Sequence, residues 1–285
     1  MEIKKCIIPI AGKGTRFLPI TKTISKEMLP IVDKPTILLQ VQEAYKSGIE
    51  EIIFIVGNHN KEIVKDFFSR NLDLEEFIKD EPSKLELLQD LNEIIENVKF
   101  HYVIQDETFR GTAGAIYQAK EFIEKDEFFG VMFGDDLIDA NPPVLKQLID
   151  ECIKYNSNVV GVTNVKKEDV SKYGIVKLDD ENNIIEFVEK PSIENAPSTL
   201  ASSGRYIINE EVFDIIPTLT PLKNNEYILV DTISKMKTKT KAFEYTGTYY
   251  DIGNKLGYIK ANINYGLKYD GIESGLLEYL DKIRK

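Results

Sequence analysis

The most constraining stretch of this chain is its opening, where a short apolar run, CIIPI at 6–10, breaks abruptly at Ala11-Gly12-Lys13-Gly14-Thr15-Arg16. A run of that length reads as one buried strand. Two closely spaced glycines let main-chain N–H groups turn inward together, which makes a nest for anionic oxygen. Arg16 and Lys26 bring fixed positive charge to the same mouth, so the loop suits a triphosphate. Two commoner phosphate loops do not fit. A dinucleotide fingerprint needs a third glycine where Phe17 stands, and a helix where Pro19 and Pro30 interrupt the chain. A Walker-type loop needs Gly-Lys-Ser/Thr at the end of the turn, and none is there.

The pattern then alternates. Pro35 suits the first turn of a helix in which Ile37, Leu38, Val41, Ala44 and Tyr45 recur at helical spacing, and Gly48 ends it. Residues 51–57, EIIFIVG, are apolar almost throughout, as a strand buried on both faces should be. Strand–helix–strand alternation predicts a parallel sheet. Residues 61–98 read as helices with an acidic surface and one apolar stripe, Leu85, Leu88, Leu91 and Ile95, for packing on the sheet or on a second subunit. Strands at 99–105 and 128–134 follow, with a helix between them reaching Ile123. Residues 141–155 form a helix opened by Pro142-Pro143. Then the rhythm changes to strands at 158–165, 173–178, 183–189 and 201–208, with a polar hairpin turn at 179–183. Gly253 opens a helix through Tyr265, and 272–283 closes the chain with an amphipathic pattern. The fold class is α/β: a Rossmann-like, mostly parallel central sheet flanked by helices, with a strand-rich addition that walls a cleft, and C-terminal helices.

Composition excludes several roles. A net charge of −11 gives no support to nucleic-acid binding and requires that positive charge be concentrated locally, or a cation recruited, if anions are handled. Cys6 and Cys152 make no disulfide framework and read as buried thiols. His59 and His101 are too scattered for a zinc site. No leader and no apolar run of membrane-spanning length is evident, so a cytoplasmic location is expected, with no membrane partner.

Seven motifs stand in order along the chain: Ala11-Gly12-Lys13-Gly14-Thr15-Arg16; Lys26-Glu27-Met28-Leu29-Pro30; Val32-Asp33-Lys34-Pro35; Gly134-Asp135-Asp136; Tyr173-Gly174-Ile175-Val176; Val188-Glu189-Lys190-Pro191; and Tyr250-Asp251-Ile252-Gly253-Asn254-Lys255. Together they resemble the sugar-1-phosphate nucleotidyltransferases, and within that family the uridylyltransferases that use glucose 1-phosphate. The resemblance runs along nearly the full chain. It implies one catalytic domain over 1–285, with a nucleotide part at about 1–140, a sugar part at 141–250 and C-terminal helices at 251–285. It implies nucleotide contacts from Ala11, Gly12, Gly14, Thr15, Arg16, Lys26, Gln105 and Gly111, and sugar contacts from Gly174, Glu189, Lys190 and Glu226. Asp135 and Asp251 are the implied Mg²⁺ ligands, with Asp136 orienting the site. Arg16, Lys26 and Lys190 are the implied catalytic cations. The implied partners are UTP and glucose 1-phosphate, and the implied assembly is a homodimer or homotetramer.

These residue types suit the implied reaction. A sugar phosphate has its second pKa near ~6 and attacks as a dianion without a general base. The obstacle is repulsion between two polyanions, so the catalyst must neutralise charge and align the attack. Two departures matter. Gly111-Thr112-Ala113-Gly114-Ala115 stands where uridylyltransferases usually read G-L-G-[HD]-A, and looks more like guanylyl- and adenylyl-transferring relatives. Small residues at Ala113 and Gly114 are expected to enlarge the base pocket, and thymidylyl or guanylyl transfer stays an alternative to uridylyl transfer. The stretch Asn225 to Asp231 matches its family motif only in part, so Glu226 alone is carried over. A non-catalytic nucleotide-sugar-binding subunit would be expected to lose a metal carboxylate or a phosphate-binding cation, and this chain keeps them.

Overall fold

Cys6, Ile7 and Ile8 are wholly buried, and the opening run lies at the centre of the sheet as β1 (Lys5–Pro9). The structure, a computed structural model, describes residues 1–222 and 224–284. After β1 come a small hairpin, β2 (Pro30–Ile31) and β3 (Lys34–Pro35), then α1 (Thr36–Lys46) and β4 (Glu51–Val56). Helices α2 (Lys61–Phe67), α3 (Leu72–Phe77) and α4 (Pro82–Asn97) lead to β5 (Lys99–Ile104). Then α5 (Gly111–Tyr117), β6 (Phe128–Met132), β7 (Asp136–Asp139) and α6 (Val144–Tyr155) complete the first half.

β6, β1, β4 and β5 lie side by side and parallel, with Cys6 opposite both Ile52 and Gly130. Their side chains alternate between two cores. Ile8, Ile52, Phe54 and Val56 face one side, under α1 and α6, while Ile7, Ile53 and Ile55 face the other, under α5. Burial on both faces is why these strands are apolar throughout.

The second half contains β8 (Asn158–Asn164), β9 (Gly174–Leu178), β10 (Ile184–Glu189) and β11 (Leu200–Asn209). It continues through α7 (Val212–Ile215), α8 (Leu229–Ile233), β12 (Thr240–Glu244) and β13 (Thr248–Asp251) to α9 (Lys255–Gly266) and α10 (Glu273–Ile283). The strand-rich addition is not a separate layer. β11 pairs antiparallel with β6 and extends the same sheet, which among the described residues holds nine strands. β8 pairs along one edge of β11, with an irregularity between Ser202 and Tyr206, while β9 pairs with the start of β11 and β6 with its end. β7 and β13 form a separate antiparallel ribbon. The β2–β3 hairpin docks on α9, where Val32 N–H donates to Asn262 Oδ1 at 3.0 Å.

Three expectations are adjusted. The helix after Gly111 ends at Tyr117, and the chain goes on as a tighter turn, Lys120–Phe122, next to the wholly buried Ala119. Ile94, not a member of the expected stripe, is the deepest residue of α4, although Leu91 does pack on the core. Among the described residues, α10 buries no side chain. No described helix is long and apolar enough to cross a membrane.

Candidate active site

In a parallel sheet the C-terminal strand ends share one edge, and ligands collect there. The turns after β1, β5 and β6 carry Ala11 to Arg16, Gln105 and Asp135 along that edge. Gly14 takes the left-handed conformation, φ 61°, and starts a short 3₁₀ turn, Thr15–Phe17. A Cβ on Gly14 would lie 2.9 Å from Lys26 Cβ, and one on Gly12 would lie 3.8 Å from Lys26 Nζ. The glycines thus make room for the Lys26 stem. Among the described residues none supplies an acceptor to the main-chain N–H groups of Gly12 to Arg16, as an anion nest requires.

A cavity of about 710 Å³ opens between these turns and the second half. Arg16, Asp135, Gly174, Glu189, Lys190 and Asp251 all line it, so six of the expected residues meet. Lys26 reaches the same place, with Nζ 3.3 Å from Asp135 Oδ2, and Arg16 lies 3.7 Å from that oxygen. Gly253 marks the junction. A Cβ there would be 3.0 Å from Asp135 Oδ2, 3.1 Å from Asp251 Oδ1 and 3.1 Å from an Arg16 guanidinium nitrogen. Only glycine lets two carboxylates and a guanidinium converge so closely.

The two adjacent aspartates are opposed electrostatically. Burial alone would raise the pKa of Asp135, but Lys26 and then Arg16 outweigh it and hold the carboxyl below its usual range. Asp136 is pushed up to about 7, first by burial and then by the charge of Asp135, against a hydrogen bond from Tyr249 and the charge of Arg205. Across the cavity, β10 ends at Glu189, and Lys190 follows in the left-handed region at φ 46°. Its N–H donates to Tyr173 O at 3.0 Å, and its Nζ stands 3.3 Å from Glu189 Oε1. A Cβ on Gly174 would meet Phe187, Val230 and Glu189 at 2.9, 3.1 and 3.3 Å, so this glycine also lets Glu189 lie against the strand.

Gly111 and Glu226 sit beside one another, next to Thr112, which lines the cavity. Gly111, φ 84°, faces the main chain of Tyr227, whose O would be 2.5 Å from an added Cβ. Tyr227 N–H donates to Arg110 O at 2.8 Å, and Ala113 N–H donates to Tyr227 O at 2.9 Å. Glu226 thus stands beside Gly111 and is not among the residues that line the cavity with Glu189 and Lys190. The structure also corrects the expectation for Ala113 and Gly114. Ala113 is fully buried in the core, and a Cβ on Gly114 would lie 2.6 Å from Phe109 O. Packing demands small residues here, and they do not enlarge a base pocket.

Several contributors were not legible. Lys172, Lys260 and Thr112 also line the cavity, the first two on otherwise ordinary charged surface. Glu27 and Asn60 are buried and hydrogen-bonded to each other, and Asn60 Nδ2 donates to Ile10 O at 2.7 Å, tying the Lys26 segment to the end of β1. Arg205 and Glu43 form a buried ion pair. An arginine within an apolar strand and a glutamate on the apolar face of α1 were the available signals.

This chain belongs to the nucleotidyl transferase family, whose model matches residues 5–266. Its relatives narrow the class. It is 40% identical over 289 residues, 99% of each chain, to UTP–glucose-1-phosphate uridylyltransferase 2 of Staphylococcus saprophyticus. It superposes on a UDP-glucose pyrophosphorylase complexed with UDP-glucose with a TM-score of 0.84 and 38% identity, covering 94% of this chain and 100% of that one. A UTP-bound enzyme of the same name from Acinetobacter baumannii matches with a TM-score of 0.87 and 30% identity, over 98% and 99% of the two chains.

Proposed function

We propose that this chain transfers the uridylyl group of UTP to α-D-glucose 1-phosphate, giving UDP-glucose and pyrophosphate. The observation that carries this reading is the single cavity in which Arg16, Asp135 and Asp251 face Glu189 and Lys190, with Lys26 at its edge. The N–H groups of Gly12 to Thr15, with Arg16, hold the β- and γ-phosphates that leave. Lys26 stands at the transferred phosphate. Lys190 holds the attacking phosphate, and Glu189 accepts hydrogen bonds from sugar hydroxyls. Gln105, whose amide both donates and accepts, pairs with the uracil edge along with main-chain groups near Ala11 and Gly111.

The donor set fits a divalent cation. Asp135 and Asp251 present hard oxygens towards one point, and Lys26 and Arg16 keep Asp135 ionised. Asp135 and Asp251 would hold Mg²⁺, which when bound neutralises charge shared by the α-phosphate and the incoming phosphate. Since the sugar phosphate is already a dianion, the residues align and neutralise, and none needs to take a proton.

A homodimer or homotetramer of two-fold symmetry belongs to the same reading. Tyr279 and Ile283, four residues apart and so on one face of α10, are 60% and 61% exposed, an apolar patch that the described residues leave open. The deciding experiment is pyrophosphate release with UTP, dTTP, CTP, ATP and GTP against glucose, galactose and mannose 1-phosphates. UTP with glucose 1-phosphate should have the highest kcat/KM, with some activity on dTTP, since thymine shares the pairing edge. A higher kcat/KM for GTP or ATP would refute uridylyl transfer and leave the fold and chemistry standing.

A further inference from the structure

One group of buried charges has no part in the chemistry above. Arg205, in β11, is 0% exposed. Its Nε and one terminal nitrogen donate to the two oxygens of Glu43, in α1, at 3.0 and 2.9 Å. The same terminal nitrogen donates to Asp136 O at 2.8 Å, and the other donates to Gly204 O at 3.3 Å. Glu43 also accepts from the Leu145 N–H at the start of α6, at 3.1 Å. One ion pair therefore ties β11, α1 and α6 to the turn that follows β6. At this depth an ion pair is a poor stabiliser, because desolvation offsets most of the attraction and an apolar pair of similar volume often does as well. What a planar guanidinium does supply is direction.

The group it directs is Asp136. Tyr249 donates its hydroxyl to Asp136 Oδ1. Gly204, φ +71°, packs so tightly that an added Cβ would lie 2.0 Å from Asp136 Oδ2. Asp136 is thus held on its main chain and flanked at both side-chain oxygens. The residue before it is Asp135, and its partner across the β7–β13 ribbon is Asp251. Asp136 is therefore bonded to the residue carrying one of those carboxylates and paired across the ribbon with the residue carrying the other.

We propose that Glu43 and Arg205, acting through Asp136 and Tyr249, form a bracket that sets the separation of Asp135 and Asp251 for a divalent cation. The proposal rests on the reading of Asp135 and Asp251 as cation ligands. Glu43 and Arg205 are positioning residues, since neither reaches the cavity. Partners behind metal ligands typically matter by 10–100-fold in affinity.

The test is a Mn²⁺ titration of the intact protein, with free Mn²⁺ read by electron paramagnetic resonance and Tm and UTP affinity measured in parallel. The double variant Glu43→Leu, Arg205→Met removes both charges together. It should keep its Tm and UTP affinity yet bind Mn²⁺ roughly tenfold or more weakly. Unchanged Mn²⁺ affinity in the folded double variant would overturn the bracket alone. If that variant fails to fold, Tyr249→Phe replaces it, with weakened Mn²⁺ binding at unchanged Tm in support and unchanged binding against. Wild-type protein showing no Mn²⁺ binding that Asp135→Asn removes would overturn the cation reading itself, and the bracket with it.

Discussion

The two halves of the sheet deliver their chemistry in different ways. In the parallel half, the groups at the site follow the C-terminal ends of strands: Gly12 to Arg16 after β1, Gln105 after β5 and Asp135 after β6. In the other half, β8 to β11 pair with one another in opposite directions, and its strands meet the cavity at different points. Gly174 is at the start of β9, Glu189 at the end of β10, and Ser202 and Gly204 lie inside β11. The parallel half therefore builds one continuous anion-binding edge, and the antiparallel half builds a wall of separate contacts. In the proposed function the triphosphate binds the first, the sugar phosphate the second, and the cation their seam.

The largest effect should come from that seam. Asp135→Asn or Asp251→Asn should raise the barrier to turnover by several kcal/mol, at least about a hundredfold in kcat, with an unchanged circular dichroism spectrum. Near wild-type turnover in either variant would remove that residue from the cation site. Next is the clasp between the halves. Gly111→Ala puts a Cβ where φ is +84° and Tyr227 O is 2.5 Å away, so stability should fall by about 1–3 kcal/mol. An unchanged Tm would mean that the clasp yields freely.

A smaller effect concerns pH. In the cation-free protein, burial and then the charge of Asp135 push Asp136 up to about 7, above the ordinary carboxylate value of 3.8. Between those values the folded state holds a proton that the unfolded state has released. This stabilising contribution is complete below the unfolded value and is lost as pH rises through about 7. Tm should therefore decline from pH 5 to pH 8 more steeply in wild-type protein than in Asp136→Asn, as thermal scans across roughly that range would show. Parallel declines would contradict it. The smallest catalytic effect is expected on the exposed face of α10. Ile283→Asp should lower the sedimentation coefficient towards that of a monomer while leaving kcat nearly intact, and a wild-type protein already monomeric at micromolar concentration would refute the assembly.

The same comparison explains what the sequence revealed. Ile7, Ile8, Ile52 and Ile53 are buried on both faces, so the parallel strands stood out as unbroken apolar runs and their following turns could be located. β8 to β11 were also placed, but the β7–β13 ribbon and β12 were not, nor was the attachment of β11 to β6, because pairing along β11 depends on a local register shift that composition does not encode. The role of Gly111 was half visible. The resemblance marked it as a nucleotide contact, and the structure adds that the main chain of Tyr227, distant in the chain, lies against it. Glu43 and Arg205 were hidden because each sits in an apolar pattern and acquires meaning only when α1 and β11 meet.

The most direct test of the division between the halves is steady-state kinetics of Arg16→Ala and Lys190→Ala with UTP and glucose 1-phosphate varied separately. Arg16→Ala should raise KM for UTP by about tenfold or more and barely alter KM for glucose 1-phosphate, and Lys190→Ala should do the reverse. If each variant instead raised both KM values equally, the two halves would not bind separate substrates, and the account would be wrong.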